Sequence, residues 1–385
     1  MASSQEILAS PHEVPAEPGQ RERWADSLRV LVIAVVVVFH TATAYLAGSD
    51  WYYMDRTTSQ VWSTAFFPAY VISMFGLGPL FLVAGWFSAR SLAHKGATGF
   101  ARARLLRLGG PLIVFIFLID RLAAYLGDLG RRQHPSLADY WGVRPQSGGP
   151  YEAGPMWFVA ALLAFSLAYA LLRRLHAPPV ARRRSGTQVM AAAAILITVA
   201  AFLAWRWWPV DDASTFLNLR WGLWPQGAVL FALGVWAGEA GSLQDLTAWA
   251  RLLGWTALAA AVMLVALAVY EKARGNFESA LHGAGWPIML TAVLYGIISV
   301  AFTVWFTALI RARWSGDGPL RARAGRASYA TYVLHPLVLT AIMVLFASLA
   351  LAPELKFLVV AVVAVPVCFL AGYAATRVPG ISKAL

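Results

Sequence analysis

The sequence is short of charge and almost without cysteine. Only 13% of its 385 residues are Asp, Glu, Lys or Arg, against about 25% in soluble domains. Half the usual charge cannot coat a water-facing surface of this size, so a soluble globular protein is excluded. The one cysteine, Cys368, rules out a disulfide scaffold. Phosphate-loop, His-Glu-x-x-His and Gly-x-Ser-x-Gly patterns and Cys/His clusters are all missing. ATP-driven transport, zinc proteolysis and serine-hydrolase chemistry therefore have no support, and neither a metal site nor a permanently bound cofactor is expected.

What fills the chain instead is apolar: 59% of residues are hydrophobic and the mean hydropathy is +0.61. A transmembrane helix takes roughly 20 mainly apolar residues. Ten stretches qualify: Val30–Leu46, Val61–Phe87, Leu108–Leu126, Pro155–Leu172, Val189–Trp205, Trp224–Gly238, Leu252–Tyr270, Trp286–Ile310, Tyr329–Leu351 and Leu355–Ala375. Lipid offers the backbone no hydrogen-bond partners, so each span must be helical. The expected fold is an all-α integral membrane protein, a bundle of about ten transmembrane helices. Pro68 and the Gly76/Gly78/Pro79 cluster predict a kink in the second span.

A net charge of +12 would suggest nucleic acid in a soluble protein. Divided by the ten spans, 21 Lys and Arg fall on one side and 10 on the other, with net charges of +13 and −1. That split obeys the positive-inside rule, so the charge records orientation, no nucleic-acid partner is expected, and both termini are placed in the cytoplasm. Residues 1–22 are polar and lack the apolar core of a signal peptide. They read as a disordered cytoplasmic tail, followed by one membrane domain over residues 23–385.

Ionisable groups at membrane depth are costly and are functional candidates by default. Of seven histidines only His40 and His335 fall in the spans; His12, His94, His134, His176 and His282 lie in tails or loops. Arg29 and His40 are eleven residues apart, which returns to nearly the same helix face about 16 Å further along the axis. A phosphate-rich acyl donor held at Arg29 would extend its acyl end toward His40. The plainer alternative makes Arg29 a membrane anchor and His40 a helix–helix hydrogen-bonding group. Arg104 and Arg107 share a face and suit phosphate oxygens, although their spacing alone favours topology signalling. Ser328, Tyr332 and His335 recur at i, i+4 and i+7, and Pro336 frees a backbone carbonyl. This stripe reads equally as a cavity lining or as interhelical glue. Asp120 and Arg121, as sequence neighbours, are expected to point apart and to need separate partners or water. Trp51, Tyr52, Tyr53, Trp205, Trp207, Trp208, Trp221 and Trp224 fit an interfacial belt as well as a glycan platform.

With these residues in view the sequence resembles the acyltransferase 3 family of bacterial membrane acyltransferases. The matching signatures are Arg29-x10-His40, the Arg104-x-x-Arg107 pair, and Ser328-Tyr-Ala-Thr-Tyr-Val-Leu-His335-Pro336. Phe81–Ser88 with Lys95-Gly96, Gly154–Phe158, and the Lys356-Phe-Leu and Cys368-Phe-Leu segments look like the glucan-biosynthesis protein C branch, which is succinyltransferase-like. The likeness runs from about Arg23 to Leu385, with weaker detail between Ala177 and Asn276. It implies a bacterial inner-membrane O-acyltransferase with acetyl-CoA or succinyl-CoA as co-substrate on the cytoplasmic side. The acceptor would be a hydroxyl, most simply of a periplasmic or cell-surface glycan. His40 would be the general base or transient acyl carrier, and Arg29, Arg104 and Arg107 would hold the CoA. Asp26, Ser328, Tyr332 and His335 would be supporting polar groups. The alternative is a glycan or lipid transporter or flippase without acyl-transfer chemistry.

Overall fold

The computed structural model describes residues 23–47, 51–55, 58–131, 136–141, 151–176, 185–209, 216–240, 243–277, 281, 283–315 and 318–379. The expected tail at residues 1–22 lies outside them, as do His12, His134 and His282. The chain is an all-α membrane protein. Among the described residues eight helical stretches are long and apolar enough to cross a bilayer, one of them the 71-residue run Gln60–Gly130. A continuous helix of that length would reach about 105 Å at 1.5 Å per residue, so the run holds more than one crossing. Each of the ten expected stretches overlaps a helical segment.

The order begins with α1 (Arg23–Thr43), α2 (Gln60–Ser73) and α3 (Gly78–Arg104), then two π-helical turns, Leu105–Gly109 and Phe115–Ile119, flanking α4 (Gly110–Val114), and α5 (Asp120–Gly130). It continues with α6 (Trp157–Leu175), α7 (Gly186–Ala204), α8 (Trp224–Ala240), the short α9 (Leu243–Thr247) and α10 (Ala250–Ala273). It closes with α11 (Trp286–Arg313), α12 (Pro319–Leu345) and α13 (Pro353–Ala375). The second expected span is therefore two helices where one kinked helix was anticipated. The break falls on the turn at residues 74–77, and Pro68 stays inside α2. Pro79, in the first turn of α3, costs no intrahelical hydrogen bond there and favours a new helix start. Within α3, Gly96 leaves helical geometry at φ 67°, ψ 168°, a region open mainly to glycine. It lies between Lys95 and the last turns of α3, which carry Arg102 and Arg104.

Glycine also sets how closely the helices pack. A Cβ on Gly85 would lie 2.0 Å from the Phe231 carbonyl oxygen, and one on Gly234 would lie 2.0 Å from that of Leu82. The backbones of α3 and α8 thus touch directly, with Gly238 against Trp86 one turn further on. Lipid supplies no hydrophobic drive between helices, so such dispersion contact is what holds them. A polar chain reinforces the neighbouring seam of α8 and α11. The Tyr295 hydroxyl donates to Gln226 at 2.9 Å and the Gln226 amide donates to Ser299 at 3.0 Å. A second apolar cluster, including Val37, Tyr45, Leu339, Phe357 and Cys368, ties α1, α12 and α13 together beside His40.

The contact predicts the cost of a single methyl group. Gly234→Ala forces α3 and α8 apart and should lower stability by about 1–3 kcal/mol. Gly110→Ala, whose Cβ would meet nothing within 4 Å, should leave the melting temperature in detergent unchanged or raised.

Candidate functional site

The sequence of α1 puts a guanidinium near its start and an imidazole near its end, and the two ends of that helix organise the rest. At the histidine end, half-buried His40 stacks on Trp51 with ring centroids 4.2 Å apart and planes at 17°. His335, brought by α12, lies 5.4 Å from His40. His40 Nδ1, His335 Nε2 and Trp51 Nε1 are buried with no hydrogen-bond partner.

Pro336 explains part of this arrangement. It has no N–H to give to the carbonyl four residues back, which belongs to Tyr332. That carbonyl instead accepts from His335 Nδ1 at 2.6 Å. The Tyr332 hydroxyl in turn donates to the Pro155 carbonyl just ahead of α6. The charge of Arg220 also reaches His40. Arg220 sits on a loop where Leu217, Asn218 and Arg220 all adopt positive φ, 56°, 49° and 52°, conformations that cost non-glycine residues free energy. The loop is held by the Asn218 amide on Glu152 at 2.9 Å and by the Ala153 N–H on the Leu217 carbonyl at 2.7 Å.

The segment carrying Trp51 is pinned on several sides. The Tyr52 hydroxyl donates to Asp120 Oδ1 at 2.7 Å, and the Tyr52 carbonyl accepts from Arg131 at 3.0 Å. Burial and the neighbouring Asp120 carboxylate push the Tyr52 phenol well above its usual range, so it stays a hydrogen donor. Lys356, at the start of α13, donates to Asp55 Oδ2 at 2.7 Å and to the Ala347 carbonyl at 3.0 Å. Both side chains of this pair are almost fully buried, at 1% and 2% exposure. Arg121 curls back onto Asp120 Oδ2, with Nε at 3.0 Å and a terminal nitrogen at 2.5 Å. This corrects the expectation that the two point apart. Both are buried in the bundle, where an unpaired charge is far costlier than a bent arginine chain.

At the arginine end, Arg29 pairs with Asp26 at 3.2 Å and lies 5.6 Å above the Phe87 ring. Arg104 donates to the Ser88 hydroxyl at 2.9 Å and lies 5.0 Å above Phe100. The charges of Arg107 and Arg29 both act on Arg104, so the fold does bring the three expected arginines together. Like charges gathered beside aromatic faces repel one another, and a polyanion relieves that repulsion. Ser328 lies apart from this chemistry, its hydroxyl bonded to the Gly325 carbonyl of its own helix at 2.9 Å. Asp26 also serves packing, since Gly325 comes close enough that a Cβ there would be 2.8 Å from that of Asp26.

Sequence reading missed Trp51 as a partner of His40, Arg220, Ser88 and the Asp55–Lys356 pair. Trp51 was hidden among interfacial aromatics. Asp55 and Lys356 are 301 residues apart, beyond the reach of any local pattern.

Among families of known proteins, a model described as Acyltransferase domain, Acyl_transf_3, matches residues 22–373. No curated protein matches the chain.

The buried ion pair sets its own test. Lys356→Met takes away the ammonium that balances the buried Asp55 carboxylate, and should lower stability by about 3–5 kcal/mol. The double variant Asp55→Leu/Lys356→Met should recover most of that loss in the same denaturation assay.

Proposed function

The chain belongs to the Acyl_transf_3 family of acyltransferases, and from that premise we propose that it carries an acyl group from acyl-CoA at the arginine end to a hydroxyl at the histidine end. The acceptor in this reading is a periplasmic or cell-surface glycan, and the membrane is the bacterial inner membrane. The observation that carries the proposal is the pairing of two unlike sites on α1. Arg29 lies near its start, its charge and that of Arg107 both acting on Arg104, and a half-buried imidazole lies about 16 Å along.

In this reading Arg29, Arg104 and Arg107 hold the phosphates of CoA, and the pantetheine arm runs along α1 toward His40. The imidazole takes the hydroxyl proton as the oxygen attacks the thioester carbonyl, or carries the acyl group transiently. As general base it returns the proton to the departing thiolate, so the enzyme ends the cycle unchanged. The N–H of Trp51, buried without a partner beside His40, adds a donor that no protein group uses. Acetyl and succinyl groups both suit the donor. A carboxylated acyl group at His40 would feel the charge of Arg220, which reaches that imidazole.

His40→Ala should abolish acylation of surface glycans, read by mass spectrometry, while the protein still inserts and melts normally. Full acylation by that variant would end the catalytic assignment, and acyl-CoA-independent transport by the wild type would favour a flippase instead. Arg104→Ala should raise KM for acyl-CoA about tenfold, the loss of one phosphate contact, with kcat retained.

A further inference from the structure

The helix that brings His335 also reaches the arginine end. On α12, Tyr329 precedes His335 by about 9 Å along the axis. Its hydroxyl donates to the Arg107 carbonyl at 3.0 Å, a contact between residues 222 apart in the chain. The charge of Arg107 acts on that same hydroxyl and on Arg104. Tyr329 thus bonds the backbone of one arginine and lies within the field of its guanidinium.

The Arg107 carbonyl is open to this bond for a reason written in the sequence. In an α-helix it would accept from the residue four further on, and that residue is Pro111, which has no N–H. The backbone here takes the wider π register over Leu105–Gly109, with the Gly110 N–H on the Leu105 carbonyl five residues back. Because a π turn takes in more residues than an α turn, it re-aims the side chains it carries. Arg107 lies in the middle of that turn, and Tyr329 supplies its carbonyl with a donor. The second π turn, Phe115–Ile119, receives a comparable bond from the Trp141 indole to the Phe117 carbonyl at 2.7 Å, but it carries no arginine.

We propose that Tyr329 is a positioning residue for Arg107: its bond to the Arg107 carbonyl fixes the π turn against α12 and holds the Arg107 guanidinium toward Arg104, where the two receive the phosphates of the acyl donor. The role rests on the acyl-CoA reading above. Tyr329 acts through the arginine, whose long chain would otherwise sample many directions. Arg107 is exposed, so its direction is set from the backbone more than by packing. Because α12 also carries His335, one helix backs both ends of the site.

The test is calorimetric titration of coenzyme A into the full-length protein in nanodiscs, with acyl-transfer kinetics beside it. Tyr329→Phe keeps the ring and removes only the hydroxyl. It should weaken coenzyme A about fivefold, the worth of one hydrogen bond, and raise KM for acyl-CoA alike with kcat retained. Arg107→Ala should weaken coenzyme A about tenfold. The double variant should bind no more than about twofold worse than Arg107→Ala alone, because the two losses share one contact. Trp141→Phe removes the matching bond from the other π turn and should leave the affinity unchanged. Losses that multiply in the double variant, an unaltered affinity in Tyr329→Phe, or an equal loss in Trp141→Phe each overturn the positioning role and leave the acyl-CoA reading in place. A wild type that binds no coenzyme A overturns that reading, and this role with it.

Discussion

Within a bilayer a polar group that finds no partner in the protein finds none at all. Much of what is built into this bundle answers to that constraint. The apolar helices satisfy their own backbones. Asp120 and Arg121 fold onto each other, Asp55 and Lys356 pair in full burial, and Gln226, Tyr295 and Ser299 close a chain between two helices. Against that background the unpartnered nitrogens of Trp51, His40 and His335 stand together in one place. Other buried side chains also lack hydrogen-bond partners, among them Trp62, Ser166, Thr291, Thr303 and Thr340, but here three such nitrogens lie on neighbouring stacked rings.

The two ends of α1 divide the work differently. At the arginine end the structure sets like charges beside aromatic rings, where an anion would complete the electrostatics. At the histidine end stacked rings carry buried nitrogens that lack partners. One helix joins the two because a rigid rod holds its separation, where a loop would let it drift. The glycine contact between α3 and α8 contributes to the same rigidity, since backbones in contact cannot slide without a clash.

Much of this was legible in the sequence because the constraint is local. Apolar runs of the right length mark the spans, and eleven-residue spacing puts Arg29 and His40 on one face. The proline after His335 announces a freed carbonyl, although not that His335 itself would occupy it. The break at residues 74–77 was marked by Gly76, Gly78 and Pro79, yet the sequence could not say that it separates two helices outright. What stayed hidden depends on partners remote in sequence: Gly85 against Phe231, Lys356 on Asp55, Trp51 over His40. The Asp120–Arg121 expectation failed for a related reason. Side-chain direction was reckoned from the helix alone, and burial of both charges overrode it.

The span between the parts has a consequence for synthesis. His40 enters the membrane with the first helix, but its neighbour His335 arrives with α12 and the lysine that anchors the Asp55 segment arrives with α13. A ribosome releases nearly the whole chain before the histidine end can close. A nascent or truncated protein therefore holds the imidazole without its surroundings, and the completed site is a property of the finished polypeptide alone.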